Sequence, residues 1–380
     1  MNIPGHKPYF SGKEKAYVLD ALERGSISGD GYYTEQVSAF IENFFGVRKV
    51  LMTTSGTHAL EMAAILSGLE SGDEVIMPSF AFSSTANAVI LRGAKPVFAE
   101  VKADDLNIDP DDIERKLTKK TKVIIPVHYA GVACEMDKII AIAQRFHLKV
   151  IEDAAQGVNA KYKGQYLGTF ADFGCYSFHG TKNYTCGEGG ALLINQDKPV
   201  TIDQAEAIRQ KGTNRSRFLR GDINQYNWVD TGSSYSPSDL LMAVLLAQFE
   251  DMQEIKKKRK AVYRVYQSVF KPYEKRGILR SMRIPEECDP NYHLFWVLFD
   301  NEEMRDCVLA ALNQRGVAAS FHYLPLHSSP MGKKMGYQPH DLPVTEKSAK
   351  CLLRLPLFGG MTETEIDYTV QCVETVIGAL

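Results

Sequence analysis

The chain runs Val123-Ile124-Ile125-Pro126-Val127, then Lys138-Ile139-Ile140-Ala141-Ile142-Ala143-Gln144-Arg145-Phe146, then Val150-Ile151-Glu152-Asp153. The first run is apolar at consecutive positions, so both faces of a strand there need cover, as in a parallel sheet. The second places Ile139, Ile140, Ala143 and Phe146 at helical spacing, with Asp137 positioned to cap the helix. The third is another apolar strand, and it ends in an acid. Strand, helix and strand in this order make one unit of an α/β sandwich.

The alternation extends outward. Strands are expected at Val50–Thr53, Glu74–Met77, Pro96–Ala99, Val123–Val127, Val150–Glu152, Gly174–Phe178 and Ala191–Ile194. That predicts a mostly parallel seven-stranded sheet. Thr57 is expected to cap a helix over His58–Leu69. Beyond it, a long helix from about Leu240 to Phe270 leads to a tail of different character. Strand-like His293–Phe299, a helix near Glu303–Arg315, strand-like Val317–Phe321 and a last helix from Thr362 read as α+β. We therefore expect a large α/β domain over residues 1–250 and a smaller one over 251–380, which 380 residues can supply with separate cores.

Composition narrows the function. Lys plus Arg number 44 and Asp plus Glu 46, so no overall field attracts nucleic acid or an anionic membrane. The one basic run, Lys256–Lys260, falls within the long helix and reads as a solvated face. No apolar run approaches the roughly 18 residues of a membrane span, and no leader pattern opens the chain. The seven cysteines are scattered without a C-x-x-C pair, which points away from zinc and disulfides and toward a reducing cytoplasm. His6, His58, His128, His147 and His179 fall on separate segments, so no metal site is expected.

Ligands of open α/β sheets bind beyond the carboxyl ends of the strands, and three such places stand out. Thr53-Thr54-Ser55-Gly56-Thr57 runs into a helix, which makes either an ordinary cap or an anion site built on free N–H groups. It matches neither the nucleotide-triphosphate nor the dinucleotide glycine pattern. Asp153, at the end of a buried strand, either caps the next segment or meets a cation, with Gln156 close behind. Lys182 follows Ser177-Phe178-His179-Gly180-Thr181 and precedes Gly187-Glu188-Gly189-Gly190, small residues that let backbone pack tightly around its amine. A desolvated lysine becomes a nucleophile toward carbonyls.

Together these segments resemble the DegT/DnrJ/EryC1/StrS sugar-nucleotide aminotransferases, of the fold-type I, aspartate aminotransferase-like class. The resemblance rests on Thr54–Thr57, Met77-Pro78-Ser79-Phe80-Ala81-Phe82, Glu152–Gln156 and Ser177–Lys182, in that order. Pro126–Gly131, Lys211-Gly212-Thr213-Asn214-Arg215-Ser216 and His322-Tyr323-Leu324-Pro325-Leu326-His327 look like the subgroup that aminates dTDP-4-keto-6-deoxyglucose. The resemblance implies pyridoxal 5′-phosphate held covalently by Lys182, which then shuttles a proton. It implies Asp153 on the ring nitrogen, Gln156 on the ring hydroxyl and Phe82 on the ring face. Gly56, Thr57 and Ser177 would cradle the phosphate. It also implies a homodimer with shared active sites, in which Gly232–Asp239 reaches the other subunit. Where many relatives carry asparagine and arginine, this chain has Ser234 and Ser236, so Ser234 is the candidate phosphate contact. His322, Tyr323 and His327 are candidates for the sugar nucleotide, although histidines beside prolines equally serve structure.

The implied reaction moves an amine from L-glutamate to a nucleotide-linked keto-sugar for surface polysaccharide, in two half-reactions. Relatives that act at C-3, or that dehydrate deoxysugars, are the nearest alternatives. The dehydratases carry a histidine where Lys182 stands. A non-catalytic regulator is disfavoured because Lys182, Asp153 and Ser177 are all present.

Overall fold

The computed structural model describes residues 1–196 and 199–378. Among them, seven strands form the main sheet: β1 (Lys49–Thr53), β2 (Glu74–Pro78), β3 (Lys95–Ala99), β4 (Thr121–Ile124), β5 (Lys149–Asp153), β6 (Phe173–Ser177) and β7 (Gly190–Ile194). Their order is β1-β7-β6-β5-β4-β2-β3. The pairings from β6 to β3 are parallel, while β7 runs antiparallel to both neighbours. The mostly parallel sheet of the sequence reading is present.

The two-residue period of the strands sorts their side chains into two cores. Val50, Met52, Ile76, Ile124 and Val150 pack on one face with Met136, Ile139, Ile142 and Ala143 of the helix Met136–Phe146. Leu51, Val75, Met77, Val123, Ile125 and Ile151 pack on the other with Ala59, Met62 and Ala63 of the helix Gly56–Leu66. Every one of these is buried, so the consecutive apolar runs have cover on both sides.

Several local expectations are corrected. β4 stops at Ile124 because Pro126, two residues on, has no N–H for a ladder. The backbone still follows its neighbours, with Asp153 N–H bonded to the Pro126 carbonyl at 2.9 Å. Asp137 is not a cap: the helix begins at Met136 after Glu135, and the Asp137 carboxylate instead takes the Tyr162 hydroxyl and the Lys163 amine, each at 2.7 Å. Phe146 is exposed, and Ile142 takes its place on the buried stripe. Ser55 rather than Thr57 caps the helix at Gly56, accepting the His58 N–H at 3.1 Å. The long helix is two, Asp239–Glu250 and Met252–Lys275, meeting at Asp251.

In the tail, β8 (Leu279–Ser281), β9 (Phe295–Phe299) and β10 (Leu352–Leu355) form an antiparallel sheet in the order β8-β9-β10. Val317–Phe321 is not a strand. It makes isolated bridges only, Val317 with Ile3 and Ser320 with Arg354. The last helix, Glu363–Ile377, opens on a capping box between Thr362 and Glu365, as its sequence predicts. Phe80 and Tyr129, from the loops after β2 and β4, are buried in the core of this smaller sheet beside Tyr266, Phe295 and Trp296. Those contacts hold β10 and the segment 320–327 across from the strand ends of the large sheet.

Candidate active site

β1, β2, β4, β5 and β6 run in one direction, so their carboxyl ends share one edge of the sheet. Beyond β1, Gly56 lies so close to Ser177 at the end of β6 that a Cβ on it would sit 2.8 Å from the Ser177 Cβ. Only glycine permits this approach. The first-turn N–H groups of Gly56 and Thr57 have no acceptor within their helix, and the buried Ser177 hydroxyl lies beside them. The Thr57 hydroxyl bonds the Ser84 hydroxyl at 2.7 Å, which brings in the start of a second helix, Ser83–Ile90. Two helix N-termini and a hydroxyl at one point form a phosphate-sized anion cradle.

Glu152 and Asp153 are adjacent acids, and strand alternation sends them to opposite faces. Glu152 is fully buried and fully engaged, by the N–H groups of Gly168, Phe170 and Ala171 at 2.6–2.9 Å and by His128 Nε2 at 3.0 Å. His128 Nδ1 accepts the Cys134 N–H, so Nε2 carries the proton given to Glu152. Asp153 is buried too, but only the Thr85 hydroxyl at 2.7 Å and the Ala155 N–H at 3.2 Å hold it. It keeps acceptor capacity for a cation or a ring N–H.

Lys182 is half-buried in a turn fastened by its own N–H to the His179 carbonyl, and by Gly180 to Gly187, each at 2.8 Å. Burial lowers its ammonium from 10.5 to about 8; the attraction of Asp153 opposes that shift and Arg354 adds to it. Gln156 is anchored at both ends of its amide, accepting the Ala130 N–H and donating to the Tyr323 hydroxyl, both at 2.8 Å. Phe82 is 61% exposed, an open aromatic face whose ring centre lies 6.4 Å from that of Tyr323. His322 stacks on Tyr323 with ring centres 4.1 Å apart, and burial, then Arg354 and Lys182, push it well toward the neutral form.

An amine poised to lose its proton, an acid facing it, an aromatic face and an anion cradle fit an aromatic aldehyde bearing a phosphate. That donor set matches the cofactor expected from the sequence. Comparison with known proteins agrees. The model of the DegT/DnrJ/EryC1/StrS aminotransferase family matches residues 8–374.

This chain belongs to that family.

The DegT/DnrJ/EryC1/StrS members are pyridoxal-phosphate-dependent sugar aminotransferases, acting on a sugar nucleotide and an amino donor. A spore coat polysaccharide biosynthesis protein of Bacillus subtilis is 30% identical over 99% of this chain and 97% of its own. The GDP-perosamine synthase of Vibrio cholerae is 27% identical over the full length of both. A candidate sugar aminotransferase of Streptococcus pneumoniae, solved in its pyridoxal-phosphate form, superposes with a TM-score of 0.90 at 26% identity, covering 100% of this chain and 99% of that one.

The structure brings Lys182, Asp153, Gln156, Gly56, Thr57, Ser177, Phe82, His322 and Tyr323 to this edge of the sheet. It does not bring His327. That ring is fully buried, with Nδ1 on the Ser79 hydroxyl at 2.7 Å and Nε2 near the Pro339 carbonyl and Glu346, so it fastens loops away from the cleft. Ser234 is exposed and its neighbour Tyr235 accepts the Thr54 N–H at 2.9 Å, beside β1 of its own chain. Sequence reasoning missed Thr85, although the hydroxyl run Ser83-Ser84-Thr85 directly after Phe82 was a usable signal. It also missed Arg354, which reads as the solvent face of a strand.

Proposed function

We propose that this chain transfers an amino group from L-glutamate to dTDP-4-keto-6-deoxy-D-glucose, giving a dTDP-4-amino-4,6-dideoxyhexose for surface polysaccharide. The supporting observation is the meeting of a desolvated Lys182 with Asp153 beside the Gly56–Ser177 cradle. The choice of nucleotide and of C-4 is supported by the segments 126–131, 211–216 and 322–327 alone.

Bound pyridoxal phosphate supplies a ring that draws electrons from the substrate's reacting carbon. Lys182 would hold it covalently and then, as a neutral amine, take the proton from that carbon and return it. Asp153, steadied by Thr85, would keep the ring nitrogen protonated. Gly56 and Thr57 N–H groups and the Ser177 hydroxyl would take the phosphate, with Ser234 of a second copy completing it. Phe82 would stack on the ring. Gln156 has one amide N–H beyond its bond to Tyr323, enough to reach the ring hydroxyl. His322 and Tyr323 would meet the sugar.

A cytoplasmic homodimer with domains over residues 1–250 and 251–380 completes the reading. Exposed Phe218, Leu219, Tyr226 and Trp228, the last 80% accessible, support an interface between copies. So does an apolar groove lined by Phe10, Val18, Leu19 and Val244 that reaches Gly180 and Gly187 beside Lys182.

The test is a panel of dTDP- and GDP-linked 3-keto and 4-keto deoxysugars with glutamate, products assigned by NMR. A 4-amino product from the dTDP sugar is expected. The relative that makes GDP-perosamine favours one second reading, a GDP-linked acceptor, and amination of GDP sugars alone would install it. No amination of any acceptor would overturn the transaminase reading.

A further inference from the structure

Three histidine rings are buried among the described residues, and they differ in how many of their nitrogens are used. His128 engages both, with the Cys134 N–H and Glu152. So does His327, with the Ser79 hydroxyl on one side and the Pro339 carbonyl and Glu346 on the other. His293, in the segment that leads into β9, engages one. Its Nδ1 lies 2.8 Å from the side-chain oxygen of Asn183, the residue after Lys182. Asn183 gives its amide N–H to the Asn291 carbonyl at 2.9 Å, which fixes the orientation of the amide and leaves its oxygen to accept. Nδ1 therefore carries a proton. Burial, then the charges of Lys182, Arg259, Arg354 and His6, hold the ring neutral, so Nε2 keeps its lone pair.

The backbone is bent to place this ring. Asn291 accepts the His293 N–H on its own side-chain oxygen at 3.1 Å and gives its amide to the Gln156 and Val158 carbonyls at 2.7 and 2.8 Å. Tyr292 between them takes a φ of +56°, which a large side chain adopts only under constraint. Asn291 and His293 thus lock the Lys182 turn to the Gln156 turn. Between those turns lies a cavity of about 10 Å³, lined by Ala155, Ser177, Lys182, Asn183 and His293. That is the room of one water, which is held where two or more polar groups meet it. Two such groups are free: among the described residues, neither the Lys182 amine nor His293 Nε2 has a hydrogen-bond partner.

We propose that one water in this cavity joins the two, accepting a hydrogen bond from the Lys182 amine and donating one to His293 Nε2. His293 is then a positioning residue. It acts through Lys182, holding the amine at one point while it carries a proton. Asp153 and Arg354 are the other charges that face this amine, and the water adds to Asp153 in favouring its protonated form. The proposal rests on the reading of Lys182 as the amine that takes up the cofactor.

Two replacements separate the ring nitrogens. Asparagine puts its amide nitrogen near the place of Nδ1, so His293→Asn retains a donor for Asn183 and removes the acceptor for the water. Glutamine puts its amide oxygen near the place of Nε2, so His293→Gln does the reverse. Cofactor-stripped, full-length protein is mixed with pyridoxal phosphate across a range of pH, and covalent capture is followed by absorbance. Wild type should show a midpoint at about 8. In His293→Asn the midpoint should fall to about 7, an amine roughly tenfold more acidic, as loss of one charge-assisted hydrogen bond predicts. His293→Gln should stay near wild type. In cofactor-loaded protein, His293→Asn should slow both half-reactions about tenfold at saturating substrate and leave the dependence on substrate concentration unchanged.

A midpoint that stays at about 8 in His293→Asn, or that falls equally in both variants, would overturn the proposal, because the ring would then serve packing alone. If the variants fail to fold, nitrogen NMR of histidine-labelled wild type decides it. His293 is expected with its proton on Nδ1 and Nε2 accepting, and the opposite tautomer would refute the water contact. Wild type that captures no pyridoxal phosphate on Lys182 would instead sink the reading of Lys182 itself.

Discussion

Asp153 and Arg354 both act on the Lys182 amine, one from each wall of the cleft, and they differ in what already holds them. On the large-sheet wall, Asp153 is met by Thr85 and Ala155, and its neighbour Glu152 by three N–H groups and His128. On the opposite wall, Arg354 Nε and the Tyr129 hydroxyl are buried with no partner. The first wall is preorganised before anything binds, which suits a group that stays through every turnover. The second is left incomplete, which suits a substrate that arrives and leaves. Changes on the first wall should therefore abolish chemistry, and changes on the second should shift what is bound.

The largest effect is expected at Lys182. Lys182→Ala should lower amino-sugar formation by about a thousandfold or more, the range for removal of a positioned acid–base group. The phosphate cradle at Gly56 and Ser177 is untouched, so cofactor should still co-purify and be seen by its absorbance. Turnover within tenfold of wild type would break the distinction between the walls. Asp153→Asn keeps the shape and removes the charge that would face the ring nitrogen. About a hundredfold loss in rate is expected, comparable to removal of one preorganised electrostatic contact. A loss only in substrate affinity would place Asp153 with the second wall.

The acidity of Lys182 sharpens the same point. Burial disfavours its ammonium, so the neutral amine should appear as pH rises through about 8 rather than near its usual 10.5. Covalent capture of added pyridoxal phosphate by cofactor-stripped protein, measured from absorbance, should climb between about pH 7 and 9 and then level. A rate still rising beyond about pH 10 would put the amine in water. The sign for stability follows. Unfolded chain holds this proton up to its ordinary value and folded chain releases it near 8, so this group's contribution to stability grows as pH rises through that window.

The first wall was legible in the sequence because its signals are local. Val123-Ile124-Ile125 and Val150-Ile151 need cover on both faces, so the parallel sheet follows, and Asp153 and Lys182 stand out at strand ends. The cap went astray by two positions where hydroxyls cluster: Ser55 and Thr57 compete, and the chain's exit from β1 favours Ser55. The second wall was hidden. Val317–Phe321 looks like a strand, yet it finds only isolated partners. The true strand, Leu352-Leu353-Arg354-Leu355, has its apolar run interrupted by the one residue that matters there. An arginine in a strand reads as solvent-facing, and only packing against His322 and Tyr129 reveals otherwise. His322 and His327 likewise look alike in sequence, while Ser79 ties one of them away from the cleft.

The smallest effect concerns the contact that joins the walls. Gln156 on the large-sheet side donates to the Tyr323 hydroxyl on the other, and Tyr323→Phe removes that acceptor without changing the ring stacked on His322. Gln156 remains held through its carbonyl by the Ala130 N–H, so only one of two anchors is lost. A neutral hydrogen bond contributes about 1 kcal/mol net, which is roughly a fivefold change. It should fall on the keto-sugar half-reaction, where Tyr323 would meet the sugar, and leave glutamate dependence near wild type. If Tyr323→Phe instead weakened glutamate dependence more than the keto-sugar step, the phenol would serve the amino donor rather than the sugar. The incomplete wall would then be organised around Gln156, and Arg354 would owe its place to packing and to its contact with His322.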